Sequence, residues 1–148
     1  MIIRKIDLNL QRGFDNMNFF KREKKNKDGY IQINVKPLLD WSGKGADGCI
    51  VSDKITKEGW KVGYMYREEP DEGRPDSGWR FLKGDEDEEY MNNSANHHVF
   101  ALNTICNYDK DIIPYLEMEI GTYLIRTSKN QFVIDDKTQA IWMEKQER

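Results

Sequence analysis

Two strand-forming runs flanking a turn-rich loop constrain this chain more than any other feature. Residues 60–68 (Trp-Lys-Val-Gly-Tyr-Met-Tyr-Arg-Glu) and 77–82 (Ser-Gly-Trp-Arg-Phe-Leu) carry the aromatic and branched side chains that suit a pleated, half-buried surface. Between them, the segment from Glu69 to Asp76 holds Pro70, Gly73 and Pro75, which interrupt strands and set turns. Strands consecutive in sequence usually lie beside each other, so these two predict an antiparallel pair across an exposed acidic loop.

The rest of the chain repeats the pattern. Residues 2–10 alternate Ile6, Leu8 and Leu10 with Asp7 and Asn9, which predicts a half-buried strand. A basic loop over 21–29 precedes a second alternating run at 30–35, and 36–41 reads as a helical turn. Residues 42–48, with three glycines, read as a flexible connection. Residues 49–52 predict a short buried strand, 53–59 a helical turn stopped by Gly59, and 85–91 an acid-rich helix start. After a turn at 92–96, the apolar run 99–106 fits a strand or a helix, and strand is the preferred reading. Residues 109–116 read as a short capped helix, and 121–126 with 131–135 as a hairpin around 128–130.

At 148 residues the chain is the size of one domain. The expectation is therefore a single α+β domain with a mainly antiparallel sheet built from hairpins and two or three short helices. Within it, 1–47 is read as an N-terminal extension flanking a module at 48–135, with 136–148 as a C-terminal tail.

A net charge of −3 conceals a strong asymmetry. Residues 1–67 carry fourteen Lys and Arg against eight Asp and Glu, whereas 68–92 carry three against ten. Charge of one sign gathered in one region can steer an oppositely charged partner. No apolar run approaches the ~20 residues of a membrane helix, and the first residues lack a secretory pattern, so the expected location is the cytoplasm and no membrane partner is expected. Cys49 and Cys106 sit in apolar stretches, where free thiols behave as small buried hydrophobes.

The sequence offers no constellation for catalysis. His97 and His98 are adjacent in a polar turn, so their side chains diverge and surface positions are expected. The two cysteines are far apart, and 42–45 lacks the spacing of a phosphate-cradling loop. Asp85, Asp87 and Glu89 alternate as in a calcium loop, but Tyr90 occupies the position of the required glycine. No catalytic residue, metal or cofactor is expected. The basic cluster from Lys21 to Lys27, beside Phe19 and Phe20, could contact nucleic acid, but the larger acidic block opposes a phosphate backbone.

Several segments, taken in order, resemble one bacterial family. These are Cys49-Ile50-Val51-Ser52, the run from Gly59 to Pro70, Asp76-Ser77-Gly78-Trp79-Arg80-Phe81, the run from Gly84 to Met91, and the run from Leu102 to Leu116. The family is immunity family thirty-three of polymorphic toxin systems, formerly a domain of unknown function, and the likeness spans roughly 48–134. The resemblance implies a non-enzymatic protein whose partner is a cognate toxin.

The candidate partner-binding residues are Glu68, Glu69, Glu72, Asp76, Trp79, Arg80, Asp85, Glu86, Asp87, Glu88 and Glu89. Displayed carboxylates would suit a toxin with a basic substrate groove, and Trp and Arg often anchor interfaces. For Trp60 and Trp79 a core role is the preferred reading. The alternative from another class is a non-catalytic regulatory module that binds a small ligand among the aromatics.

Overall fold

The computed structural model describes residues 24–147. Six strands form one sheet in the order β4-β1-β3-β2-β5-β6. They are β1 (Gly48–Ser52), β2 (Tyr64–Arg67), β3 (Asp76–Leu82), β4 (His97–Ala101), β5 (Tyr123–Ser128) and β6 (Gln131–Ile134). The β1–β3 pair is parallel and the other four pairs are antiparallel. The helices are α1 (Asp53–Thr56), α2 (Glu88–Asn92), α3 (Leu102–Tyr108) and α4 (Asp136–Gln146), with 3₁₀ turns at Ser94–Asn96 and Lys110–Tyr115. This is the α+β class the hairpin pattern predicts, and β2 and β3 pair antiparallel across the acidic loop.

One face of the sheet makes the core. Cys49, Val51, Met65, Trp79, Phe81, Leu124 and Phe132 alternate inward along their strands and meet Leu102, Ile105 and Cys106 of α3 with Ile112 and Leu116. Both cysteines are free and buried. Asp109 organises the far side of this layer: its fully buried carboxylate accepts the Val62 N–H at 2.9 Å, the Asp111 N–H at 3.0 Å and Arg126 Nη2 at 2.7 Å.

Four sequence expectations need correction. Residues 30–35 form no strand beyond a single bridge between Lys25 and Ile31, and 36–41 form no helical turn. Side-chain amides of α3 take over this backbone. Asn107 Oδ1 accepts the Lys36 N–H at 3.0 Å, Asn103 Oδ1 accepts those of Leu38 and Leu39 at 2.9 Å, and both amide groups donate to the Lys36 carbonyl. The strand expected from 60 begins only at Tyr64, because Val62 gives its N–H to Asp109 rather than to a ladder. The run 99–106 is divided: Val99 to Ala101 end β4, and Leu102, Ile105 and Cys106 then recur at helical spacing toward the core. The strand expected over 2–10 lies outside the described residues.

Gly59 stops the turn after α1 as expected, at φ 87° with its N–H on the Ile55 carbonyl. At the other end, Asp135 caps α4 through the Thr138 N–H and hydroxyl. That helix lays Trp142 against Gly121, whose φ of 95° and missing Cβ leave room for the ring.

Candidate partner-binding groove

Strand alternation that sends Trp79 and Phe81 into the core sends Arg80 to the opposite, open face. Register places Val99, Ile50, Arg80, Tyr66 and Tyr123 in one row across five strands. A groove of about 430 Å³ runs over this row, with Ile50, Tyr66, Arg80 and Leu82 among the residues lining it. Glu68 and Arg74 border it from the β2–β3 connection, and Met91, Asn92, Ser94 and His97 from the end of α2 through the following 3₁₀ turn to the start of β4. A second cavity of about 440 Å³ shares Ile50, Arg74 and Val99 and adds Asp71 and Asp76.

The guanidinium of Arg80 is 7% exposed and would be costly to bury unpaired. Asp76 meets it with both oxygens, at 2.9 and 2.8 Å, and Glu68 takes its Nε. Beside it Tyr66 stacks on Tyr123 with centroids 5.2 Å apart. Burial, reinforced by the Glu68 charge, pushes the Tyr66 hydroxyl up to about 12.

Burial alone would raise the Asp76 carboxyl. Hydrogen bonds from Arg80 and from the Asp71 and Gly78 N–H groups, with the charge of Arg80, outweigh it and hold the group far below the usual carboxylate range. A depressed folded-state value gives a contribution fully present above the unfolded value, about 3.9, and lost as pH falls through the folded one. The urea midpoint should therefore fall below about pH 4 more steeply for the parent than for Asp76→Asn, which lacks the titrating group. Parallel pH profiles of the two proteins would contradict this assignment.

The acidic run divides into groups with different work. Asp76 and Glu68 hold Arg80, and Glu69 and Glu72 are exposed on the loop. Asp85 bridges Lys54 at 3.0 Å and Lys83 at 2.6 Å. Glu86 accepts the N–H groups of Lys83 and Gly84, and Asp87 caps α2 by accepting the Tyr90 N–H at 2.8 Å. Glu88 and Glu89 project from the first turn of α2 into solvent. Carboxylates from the first part of the run, Glu68, Asp71 and Asp76, therefore line the two open-face cavities, whereas Asp85, Asp87 and Glu89 line a separate cavity of about 630 Å³ with Lys54, Tyr90, Asn92, Asn93 and Asn96.

Trp79 departs from the rest of the candidate set. It is fully buried, stacked on Phe81, and donates its indole N–H to the Leu116 carbonyl at 2.9 Å, so it supports the groove from behind and presents nothing to a partner. The histidines also differ from expectation. They open β4 rather than occupy a polar turn, and diverge as neighbours on a strand must. His98 Nδ1 lies 2.7 Å from Asp53 Oδ1, whereas His97 meets the Tyr90 ring edge-on, and both contribute to the groove's lining. Ile50 and Val99 were not singled out from sequence, because the long-range pairing of β1 with β4 brings them together and that of β1 with β3 sets them beside Arg80.

Among the described residues, no group of three His, Cys, Asp or Glu side chains is arranged to hold a metal ion, and no helix is long and apolar enough to cross a membrane. The profile of the immunity protein Imm33 domain matches residues 49–137, which include the six strands, save Gly48 of β1, and the groove over them. No curated protein and no solved structure matches the chain.

Proposed function

The chain belongs to the Imm33 immunity-protein family, and on that footing we propose that it neutralises a cognate bacterial toxin in the cytoplasm by direct binding at the open-face groove, without turnover. One observation carries the choice of site: Glu68, which opens the acidic region, and Met91 and Asn92, which close it beyond all of β3, border the same groove, and Asn92 also lines the neighbouring cavity that holds Asp85, Asp87 and Glu89. A rim of solvated carboxylates raises the encounter rate with a basic partner. The floor offers what a bound partner must exclude water from, namely the aliphatic Ile50, the stacked Tyr66 and the neutralised Arg80.

The test is rescue of growth. A toxin gene should lie beside this one; co-expression of the chain with its toxin domain should restore growth, and the two proteins should co-purify from the rescued cells. Replacing Glu69, Glu72, Glu88 and Glu89 together with Gln should weaken co-purification while leaving the melting temperature nearly unchanged, because exposed substitutions shift stability by only about ±0.5 kcal/mol. Growth that the intact chain fails to restore would overturn the reading. Rescue and capture undiminished in the four-residue variant would move the site elsewhere.

A further inference from the structure

We infer that β4 is a docking strand, and that an extended basic segment of the toxin adds to it as a further strand of the sheet. The inference rests on the immunity reading and names the geometry and chemistry by which the groove is entered. Among the described residues β4 ends the sheet and pairs with β1 alone. Their register continues into a hydrogen bond from the Leu102 N–H to the Asp47 carbonyl at 2.8 Å. Because an antiparallel ladder alternates bonded and unbonded pairs, His98 and Phe100 turn their backbone groups to β1. The backbones of Val99 and Ala101 consequently face outward from the sheet.

Natural edge strands are usually blunted by lysine, proline, a bulge or a covering element. β4 (His-His-Val-Phe-Ala) has no lysine, no proline and an unbroken register, and Val99 is 64% exposed, the most of any large hydrophobic among the described residues. The opposite edge is treated differently: β6 has four residues, its register with β5 shifts, and the chain passes directly into α4. A bare edge supplies main-chain affinity, and pockets for alternate side chains supply specificity. Val99 lines both open-face cavities, so every second residue of an added strand would lie beside them.

Charge selects the occupant. Asp71 and Asp76 share a cavity with Val99 and with Gly48, the partner of Ala101, and Asp85, Asp87 and Glu89 share one with Asn96 and Tyr90 next to the His97 end, where Tyr90 packs on His97. A lysine or arginine facing either end meets carboxylates. A second copy paired antiparallel about Val99 would set the acidic loop of each chain against the acidic α2 of the other, and like charges brought together oppose association. A basic segment from a different protein fits where a copy of this chain does not.

The experiment follows amide hydrogen exchange at Val99 and Ala101 in the full chain, alone and with a short peptide of alternating lysine and threonine. Both amides should exchange freely in the chain alone, and slow by about tenfold or more with the peptide at low salt. A glutamate–threonine peptide should have no effect. Val99→Pro removes only an outward N–H and should abolish the slowing at Ala101 with the fold intact; Val99→Lys, which repels a basic segment, serves if the proline variant unfolds. Protection in the chain alone would overturn the inference, through a second copy if it grows with concentration and through another part of the chain if it does not. So would equal slowing by both peptides, or by neither. The readings separate with the neighbouring toxin domain: an intact chain that fails to block it overturns immunity, whereas blocking that persists unweakened in the Val99 variants overturns only the edge.

Discussion

Trp79→Ala should lower the stability of the domain by about 3–5 kcal/mol, the range for emptying the site of a buried large aromatic. Domains of this kind hold only about 5–15 kcal/mol in total, so a substantial unfolded fraction is expected near the growth temperature. The size follows from position. The ring is wholly inaccessible, stacks on Phe81 with centroids 6.0 Å apart, and is bonded to the Leu116 carbonyl. Trp79→Phe keeps most of the volume but strands that carbonyl, and should cost about 1–3 kcal/mol. Urea unfolding of both variants checks the order. An alanine variant as stable as the parent that had merely lost its partner would show Trp79 to be an interface anchor instead.

Arg80→Ala should cost a comparable 3–5 kcal/mol or so, because it leaves the Asp76 carboxylate, 9% exposed, without its counter-charge. At about 2–4 °C per kcal/mol for a chain of this length, the melting temperature should fall by roughly 10 °C. The pair can be separated from its parts. Arg80→Met combined with Asp76→Asn removes both charges while keeping similar volumes, and replacing a buried pair in this way is often nearly neutral. The double variant should therefore be much more stable than the sum of the single losses allows, by more than about 1 kcal/mol. Strict additivity in calorimetry would show that the two groups do not act together.

The contrast between these neighbours shows what the sequence could and could not disclose. Adjacent residues on a strand must face opposite ways, so one of Trp79 and Arg80 had to be core and the other open; periodicity announces the division without saying which side carries function. Local signals placed the β2–β3 and β5–β6 pairs, the acid-rich helix start within 85–91, the capped turn from Asp109 and the Gly59 stop, because turn residues and caps act within a few positions. Long-range substitution defeated the same logic at 36–39, where Asn103 and Asn107, more than sixty positions away, supply the backbone partners. The groove was legible only as a charge block. Its floor depends on β3 inserting between β1 and β2, a pairing no local pattern encodes. Proximity in sequence also overstated the acidic run: Asp85, Glu86 and Asp87 are occupied with Lys54, Lys83, backbone N–H groups and a helix cap, and fewer carboxylates remain for a partner.

The most direct test of a groove that binds through its acidic rim is the rate at which the captured toxin associates, measured against salt. For the parent chain the rate should fall steeply as ionic strength rises, since the steering field is screened over about 10 Å at 0.1 M. The variant with Glu69, Glu72, Glu88 and Glu89 replaced by Gln should associate about tenfold more slowly at low salt, with a flatter dependence, while replacing Lys24, Lys25 and Lys27 should not slow it. Parental rates in the folded acidic variant, with slowing in the lysine variant, would place the binding face on the wrong side of the molecule.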